Sequence, residues 1–132
     1  MTAFCEAVSP DEPPAAHHRL LNDCLDKVIA GDIDNLMVFM PPGSAKSTYA
    51  TVKFPSYVIG RWDQAGHTGK SVISASYGQD LSNNFGRKVR NLVRTPEYQS
   101  IFPGTRLSQD SQSKSEWETE KGNNYKSVGV GA

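Results

Sequence analysis

Lys46 and Ser47 follow a short run of small residues in the stretch NLMVFMPPGSAKSTYA, residues 35–50. A lysine next to a hydroxyl residue after such a run suits phosphate chemistry. The ammonium can neutralise β- and γ-phosphate oxygens, and the hydroxyl can ligate Mg²⁺. The usual pattern for this turn is G-x-x-x-x-G-K-[ST], and here Met40 and Ala45 stand at its two glycine positions. Gly43 still supplies one position where backbone can approach an oxygen closely. Ala45 is the smallest replacement for glycine and fits if its φ is negative. Pro41 and Pro42 stiffen the entry. On this reading Pro42, Gly43, Ser44, Ala45, Lys46, Ser47 and Thr48 form a phosphate site, with Ser47 rather than Thr48 offering its hydroxyl to Mg²⁺. The same residues also suit a plain helix start, with Ser44 as N-cap and Lys46 in solvent.

A second partial match, QAGHTGKS at residues 64–71, keeps the later glycine as Gly69, but Gln64 replaces the earlier one. Phosphate-binding turns sit between a strand and a helix, whose free N–H groups face the anion. GHTGKS precedes a strand instead, so it is expected to be a surface loop.

The elements that must position Lys46 follow from hydrophobic spacing. Residues 1–14, rich in proline and polar residues, read as an irregular arm. Leu20, Leu21, Cys24, Leu25, Val28 and Ile29 predict a helix over residues 15–30, stopped by Gly31. The apolar run at 35–40 and SVISAS at 71–76 read as strands buried on both faces. Residues 47–57 read as a helix bent or broken at Pro55. Residues 80–94 read as a helix with Leu81, Phe85, Val89, Leu92 and Val93 on its apolar side. Residues 95–110 are expected to be mostly loop, and 115–120 and 125–130 to be strands around a KGNN turn. Strands alternating with helices predict an α/β fold with a partial parallel sheet, whose ligands bind at the carboxyl ends of the strands.

The chain has 132 residues, enough for one small domain, and its fourteen basic and fourteen acidic residues cancel. That balance argues against a dedicated nucleic-acid-coating protein but leaves room for a local basic patch. Cys5 and Cys24 lack metal-ligand spacing and read as reduced thiols of a cytosolic protein. The N-terminus lacks the pattern of a signal peptide, and no apolar run approaches the roughly 18 residues of a membrane span.

The run HHRLLNDCLDKVIAGDIDNLMVFMPPGSAKST resembles the start of the ATPase domain of tailed-bacteriophage terminase large subunits, the DNA-packaging motors. Their deviant P-loop, PP-x-x-x-K-[ST], is matched by Pro41, Pro42, Lys46 and Ser47. SVISASYGQDLSNNFGRKVRNLV, IFPGTRL and EWETEKGNNYKSVGVGA resemble later segments of the same domain, so the likeness spans residues 15–132. It implies a P-loop NTPase-like fold, with ATP and Mg²⁺ as cofactors and double-stranded DNA as the translocated substrate. It also implies a terminase small subunit and a portal protein as partners, a homo-oligomeric ring, and a place in the host cytoplasm and at the procapsid portal. Within the family the segment before the P-loop lies near the adenine, which implies a base or ribose contact for His17 or His18; a surface pair at a helix start is the simpler reading.

The likeness also exposes gaps. The family's second motif is an apolar strand ending in Asp-Glu, which holds Mg²⁺ and polarises the attacking water. None of the fourteen carboxylates here follows a run of four apolar residues; Asp80 comes nearest. The RNase H-like nuclease domain of the family is absent as well. An incomplete ATPase domain is therefore expected, inactive in hydrolysis by itself. The arginine that the family often carries inside its P-loop is replaced by the run Gly43, Ser44, Ala45, which turns attention to Arg87. With Arg90 and Arg94 it shares one helix face at i, i+3 and i+7. That face could contact DNA phosphate, offer an arginine to a neighbouring subunit's γ-phosphate, or simply be solvated. Ser76 and Tyr77, at the end of their strand, could couple nucleotide state to DNA contact. Trp62 and Trp117 read as packing residues. Two other readings remain open: another P-loop enzyme, either a helicase-like ATPase or a small-molecule kinase, and a non-catalytic fragment whose turn binds nothing. The polar loop at 104–116, with only Arg106 and Lys114 as basic residues, would make a poor kinase lid.

Overall fold

A segment holds strand geometry only when its backbone groups find a ladder partner. Four segments do so in the computed structural model, which describes residues 1–131 apart from the side chains of Asp110 and Ser111. They are β1 (Ser71–Ser76), β2 (Leu107–Gln112), β3 (Glu116–Thr119) and β4 (Asn124–Gly129), in the order β1-β4-β3-β2. β1 and β4 are parallel, with Val72 opposite Tyr125 and Ser74 opposite Ser127. The β3–β4 and β2–β3 pairs are antiparallel. The result is a mixed open sheet flanked by helices and carrying the expected C-terminal hairpin, an α/β architecture.

The expected strand at 35–40 does not pair with the sheet. Its alternation is nevertheless kept. Leu36, Val38 and Met40 pack on the core, while Met37 and Phe39 are 77% and 83% exposed. Apolar spacing reports which side chains are buried; it does not supply a hydrogen-bonding neighbour, and β1 takes β4 as its partner instead. Nor is β1 buried on both faces, since Val72, Ser74 and Ser76 turn inward while Ile73 and Ala75 are exposed.

The helices are α1 (Thr2–Val8), α2 (Ala16–Ala30), α3 (Phe54–Gln64), α4 (Gln79–Val93) and α5 (Pro96–Ile101). α2 closes as its sequence predicts, on Gly31 in the left-handed conformation at φ 85°. α1 replaces the front of the expected arm. Seven residues cannot hold a helix alone. This one is fixed by docking: Phe4 packs against Tyr57, Tyr98 and Phe102 at ring distances of 5.1, 5.9 and 6.0 Å. The Met1 ammonium also meets Asp26 at 2.9 Å. α5 and β2 correct the loop expected at 95–110. Thr95 caps α5 by accepting from the Tyr98 N–H, and Pro96 enters its first turn, where no donor is needed.

Pro55 does not break its helix either. A π-helical stretch, Thr48–Lys53, runs directly into α3, and the widened turn accommodates a residue without an N–H. The helix is thus continuous from Lys46 to Gln64.

α4 lies on the inner face of the sheet, with the Ser82 hydroxyl donating to the Val128 carbonyl at 2.6 Å. Gly86 allows the approach. A Cβ there would stand 3.1 Å from Ser127 Oγ and would collide with the Lys114 carbonyl. Trp117 and Tyr125, stacked at 5.4 Å, fill the space below. Trp117 is therefore a packing residue, as its sequence setting predicts, and Trp62 packs against the same core from α3.

The second partial motif, at 64–71, is a turn running into β1 with no helix after it. Asp63, at the end of α3, locks this region. Its Oδ1 accepts from Asn123 Nδ2 at 2.5 Å and from Thr119 Oγ1 at 3.2 Å. Asn123 also donates to the His67 carbonyl at 2.8 Å and accepts from the Lys70 N–H at 3.0 Å. The end of α3, the loop and the hairpin turn are joined in one buried network.

Candidate functional site: the turn at 41–47

A dipeptide rule builds the first half of the turn. Proline at the second position and glycine at the third are the signature of a turn in which the glycine takes positive φ. Pro42 and Gly43 hold those places; Gly43 has φ 79°, and the Ser44 N–H donates to the Pro41 carbonyl at 3.2 Å. The next reversal falls on Ala45, at φ 62°. The negative φ expected there is corrected: alanine occupies a left-handed conformation that glycine adopts without strain. The helix then starts at Lys46. Its first i→i−4 bond is Tyr49 N–H to the Ala45 carbonyl at 3.3 Å. The amides of Lys46, Ser47 and Thr48 come before that bond and have no intrahelical acceptor.

The strain at Ala45 carries a prediction. Left-handed backbone costs alanine about 1–2 kcal/mol, and glycine loses roughly 0.5–1 kcal/mol more backbone entropy on folding. Ala45→Gly is therefore expected to raise stability by about 0.5–1 kcal/mol, read as a higher denaturant midpoint at unchanged slope. A lower midpoint would contradict the left-handed geometry.

Lys46 reaches back across the turn, and its Nζ donates to the Met40 carbonyl at 2.9 Å. That acceptor is neutral, so the charge is held in place without being compensated. Ser44 Oγ is buried with no hydrogen-bond partner among the described residues. A buried hydroxyl left unpaired costs free energy that a ligand oxygen could recover. Ser47 and Thr48 are exposed at the start of the helix.

His18 braces the turn from α2. Its Nδ1 accepts from the Ala15 N–H at 3.1 Å, which puts the proton of the neutral ring on Nε2. Nε2 then donates to the Ser44 carbonyl at 2.6 Å. The ring stacks on Tyr49 at 4.3 Å, and the His17 ring lies at 3.9 Å. Tyr49 in turn carries Lys53 Nζ over its ring at 4.6 Å. Burial, followed by Cys5 and Glu12, raises the pKa of the Tyr49 hydroxyl. His17, His18 and residues 40–45 line an open hollow of about 570 Å³, within the size range of small-molecule sites.

The sequence-predicted site thus divides. Pro42, Gly43, Ser44, Ala45, Lys46, Ser47, Thr48 and His18 are brought together around one turn. Arg87 is not part of this cluster. Its guanidinium donates to Asn84 on α4 at 2.8 Å, and it belongs with Arg90 and Arg94. Tyr49 and buried Lys53 were missed as parts of the site. Their only sequence signal is position on the helix leaving the turn, where an aromatic at i+3 from Lys46 lies under it. Among the described residues no group of three His, Cys, Asp or Glu side chains could hold a metal. Among the described residues no helix is long and apolar enough to cross a membrane. Comparison with protein-family models, with curated proteins and with solved structures gives no match for this chain.

Proposed function

We propose that the chain is the nucleotide-binding portion of a P-loop ATPase of the terminase large-subunit kind, a motor that couples ATP hydrolysis to translocation of double-stranded DNA into a procapsid. The observation that carries this reading is the turn itself. Left-handed Gly43 and Ala45 fold the chain back so that the Lys46 ammonium meets the carbonyl of Met40, a residue that lines the hollow with residues 41–45, and the first-turn amides without intrahelical acceptors follow directly. Converging amides and a cation are what a polyphosphate requires. In this account Lys46 binds the β- and γ-phosphates, the amides of Lys46, Ser47 and Thr48 and the Ser44 hydroxyl cradle them, and His18 holds the turn in shape.

Mg²⁺ fits only as a companion of the nucleotide. The Ser47 hydroxyl is the one protein oxygen assigned to it, and no acidic cluster stands ready among the described residues. Water activation needs an oriented carboxylate, and neither the sequence nor the turn provides one. The portal, the terminase small subunit, a ring of identical subunits and a location in the host cytoplasm belong to the same proposal and rest on the resemblance alone.

The test is equilibrium binding of Mg–ATP beside turnover by the same sample. Binding without appreciable hydrolysis is expected. Absence of binding, with the fold intact by circular dichroism, would remove the ATPase reading in favour of a non-catalytic turn.

A further inference from the structure

Arg87, Arg90 and Arg94 run along α4 toward β2, and each is held by a neutral group. Arg90 Nη1 donates to the Gln112 carbonyl at 3.1 Å, Arg94 to Gln112 Oε1 at 2.5 Å, and Arg87 to Asn84 Oδ1 at 2.8 Å. The ion pairs among the described residues, Met1 with Asp26 and Arg19 with Glu6, lie elsewhere. Arg90 Nε is buried without an acceptor among the described residues. Burial, then Arg94 and Arg87, push the Arg90 pKa down. Among the described residues no carboxylate pairs with any of the three. Arg94 also lines, with Arg106 and Gln99, an open cavity of about 440 Å³ between α4 and β2.

We infer that this α4–β2 seam binds the phosphodiester backbone of a nucleic acid, with Arg87 and Arg94 each on a phosphate and the buried Arg90 Nε directed at an oxygen between them. The spacing favours a polyanion over a single ion. Seven residues of helix span about 10 Å, and successive phosphates of one strand advance about 3.4 Å along a duplex. Arginine prefers phosphate oxygens because its planar fork donates two parallel hydrogen bonds. The assignment rests on the packaging reading for the nucleic acid to be DNA, and it gives that DNA a place on this chain, away from the turn.

The test is fluorescence anisotropy of a labelled 20-base-pair duplex between 50 and 200 mM salt. The parent is compared with Arg87→Gln/Arg94→Gln and with the charge-matched control Lys70→Gln/Lys126→Gln. Arg87 and Arg94 are exposed, so the double variant keeps its fold. Salt-dependent binding by the parent is expected, weakened at least tenfold in the arginine variant, with the log–log salt slope reduced by about 2. The lysine control should lose little. Equal binding by parent and arginine variant overturns the seam. So does equal weakening in the control, equal competition by polyglutamate, or displacement of the duplex by millimolar inorganic phosphate, which would mark an isolated anion site. Absence of duplex binding by the parent overturns it too. Mg–ATP binding on the same samples reports on the packaging reading separately: its loss with duplex binding retained sinks that reading and leaves the seam standing.

Discussion

Lys46→Ala is expected to weaken binding of Mg–ATP about 100-fold while leaving the fold unchanged. The ammonium is the only cation fixed at the turn among the described residues, and its partner in the free chain is the neutral Met40 carbonyl. Little native stability therefore depends on it. With phosphates present, it would make charge-assisted hydrogen bonds worth roughly 1.5–3 kcal/mol each, and 1.4 kcal/mol corresponds to a factor of ten. Two such bonds account for the expected loss. Lys46→Arg should recover only part of it, because a longer planar group does not act as the same point charge. His18→Ala gives a sharper contrast. It leaves every phosphate contact in place but removes the brace on the Ser44 carbonyl, so a milder loss, about tenfold or less by the same conversion, is expected. An affinity equal to the parent's in Lys46→Ala would show that the turn merely starts a helix.

The largest stability effect is expected at Asp63. Its carboxylate is buried and joins α3 to the hairpin through Asn123 and Thr119. Asp63→Ala removes both acceptor contacts and leaves the buried Thr119 hydroxyl and one Asn123 donor short of partners. Hydrogen bonds to a charged group contribute roughly 1.5–3 kcal/mol each, so losing both costs about 3–5 kcal/mol. That is a large share of the roughly 5–15 kcal/mol available to a small domain. Asp63→Asn keeps an acceptor at Oδ1 and should cost clearly less. Oδ2 has no partner among the described residues, so an amide there loses no existing bond. Chemical denaturation of the two variants reads the difference directly. Equal, small losses for both would mean that packing, and not this network, holds the end of α3 to the hairpin.

Where the sequence could be read, one dominant local force was at work. α2 and α4 are long, periodic and properly ended, and β1 and the β3–β4 hairpin carry their own turn signals. Each is found within a residue or two of its expected place. The failures share a different cause. α1 exists because Phe4 finds Tyr57, Tyr98 and Phe102, a tertiary event that seven residues cannot announce. The 35–40 segment carries the apolar pattern of a strand, but pairing depends on a neighbour, and patterns do not record neighbours. α5 was hidden behind Pro96 and Pro103, although Pro96 stands where a helix start tolerates it.

At the site, residue types were legible and backbone conformation was not. Lys46, Ser47 and Gly43 stand out by spacing, whereas the positive φ of Ala45 is set by the closure of the turn between a stiff proline entry and a continuous helix. The contact of His18 with the Ser44 carbonyl joins residues 26 apart in sequence. The stack from Lys53 through Tyr49 to His18 likewise depends on how α2 lies against the helix leaving the turn.

The most direct test is a titration of the ¹⁵N-labelled chain with Mg–ATP and with inorganic pyrophosphate, following amide shifts. Both ligands should move the amides of Gly43 through Thr48 first and most, with the His18 ring signals responding in step and the Lys46→Ala sample silent. Shifts that gather elsewhere, or a turn that stays unmoved at saturating ligand, would contradict the account.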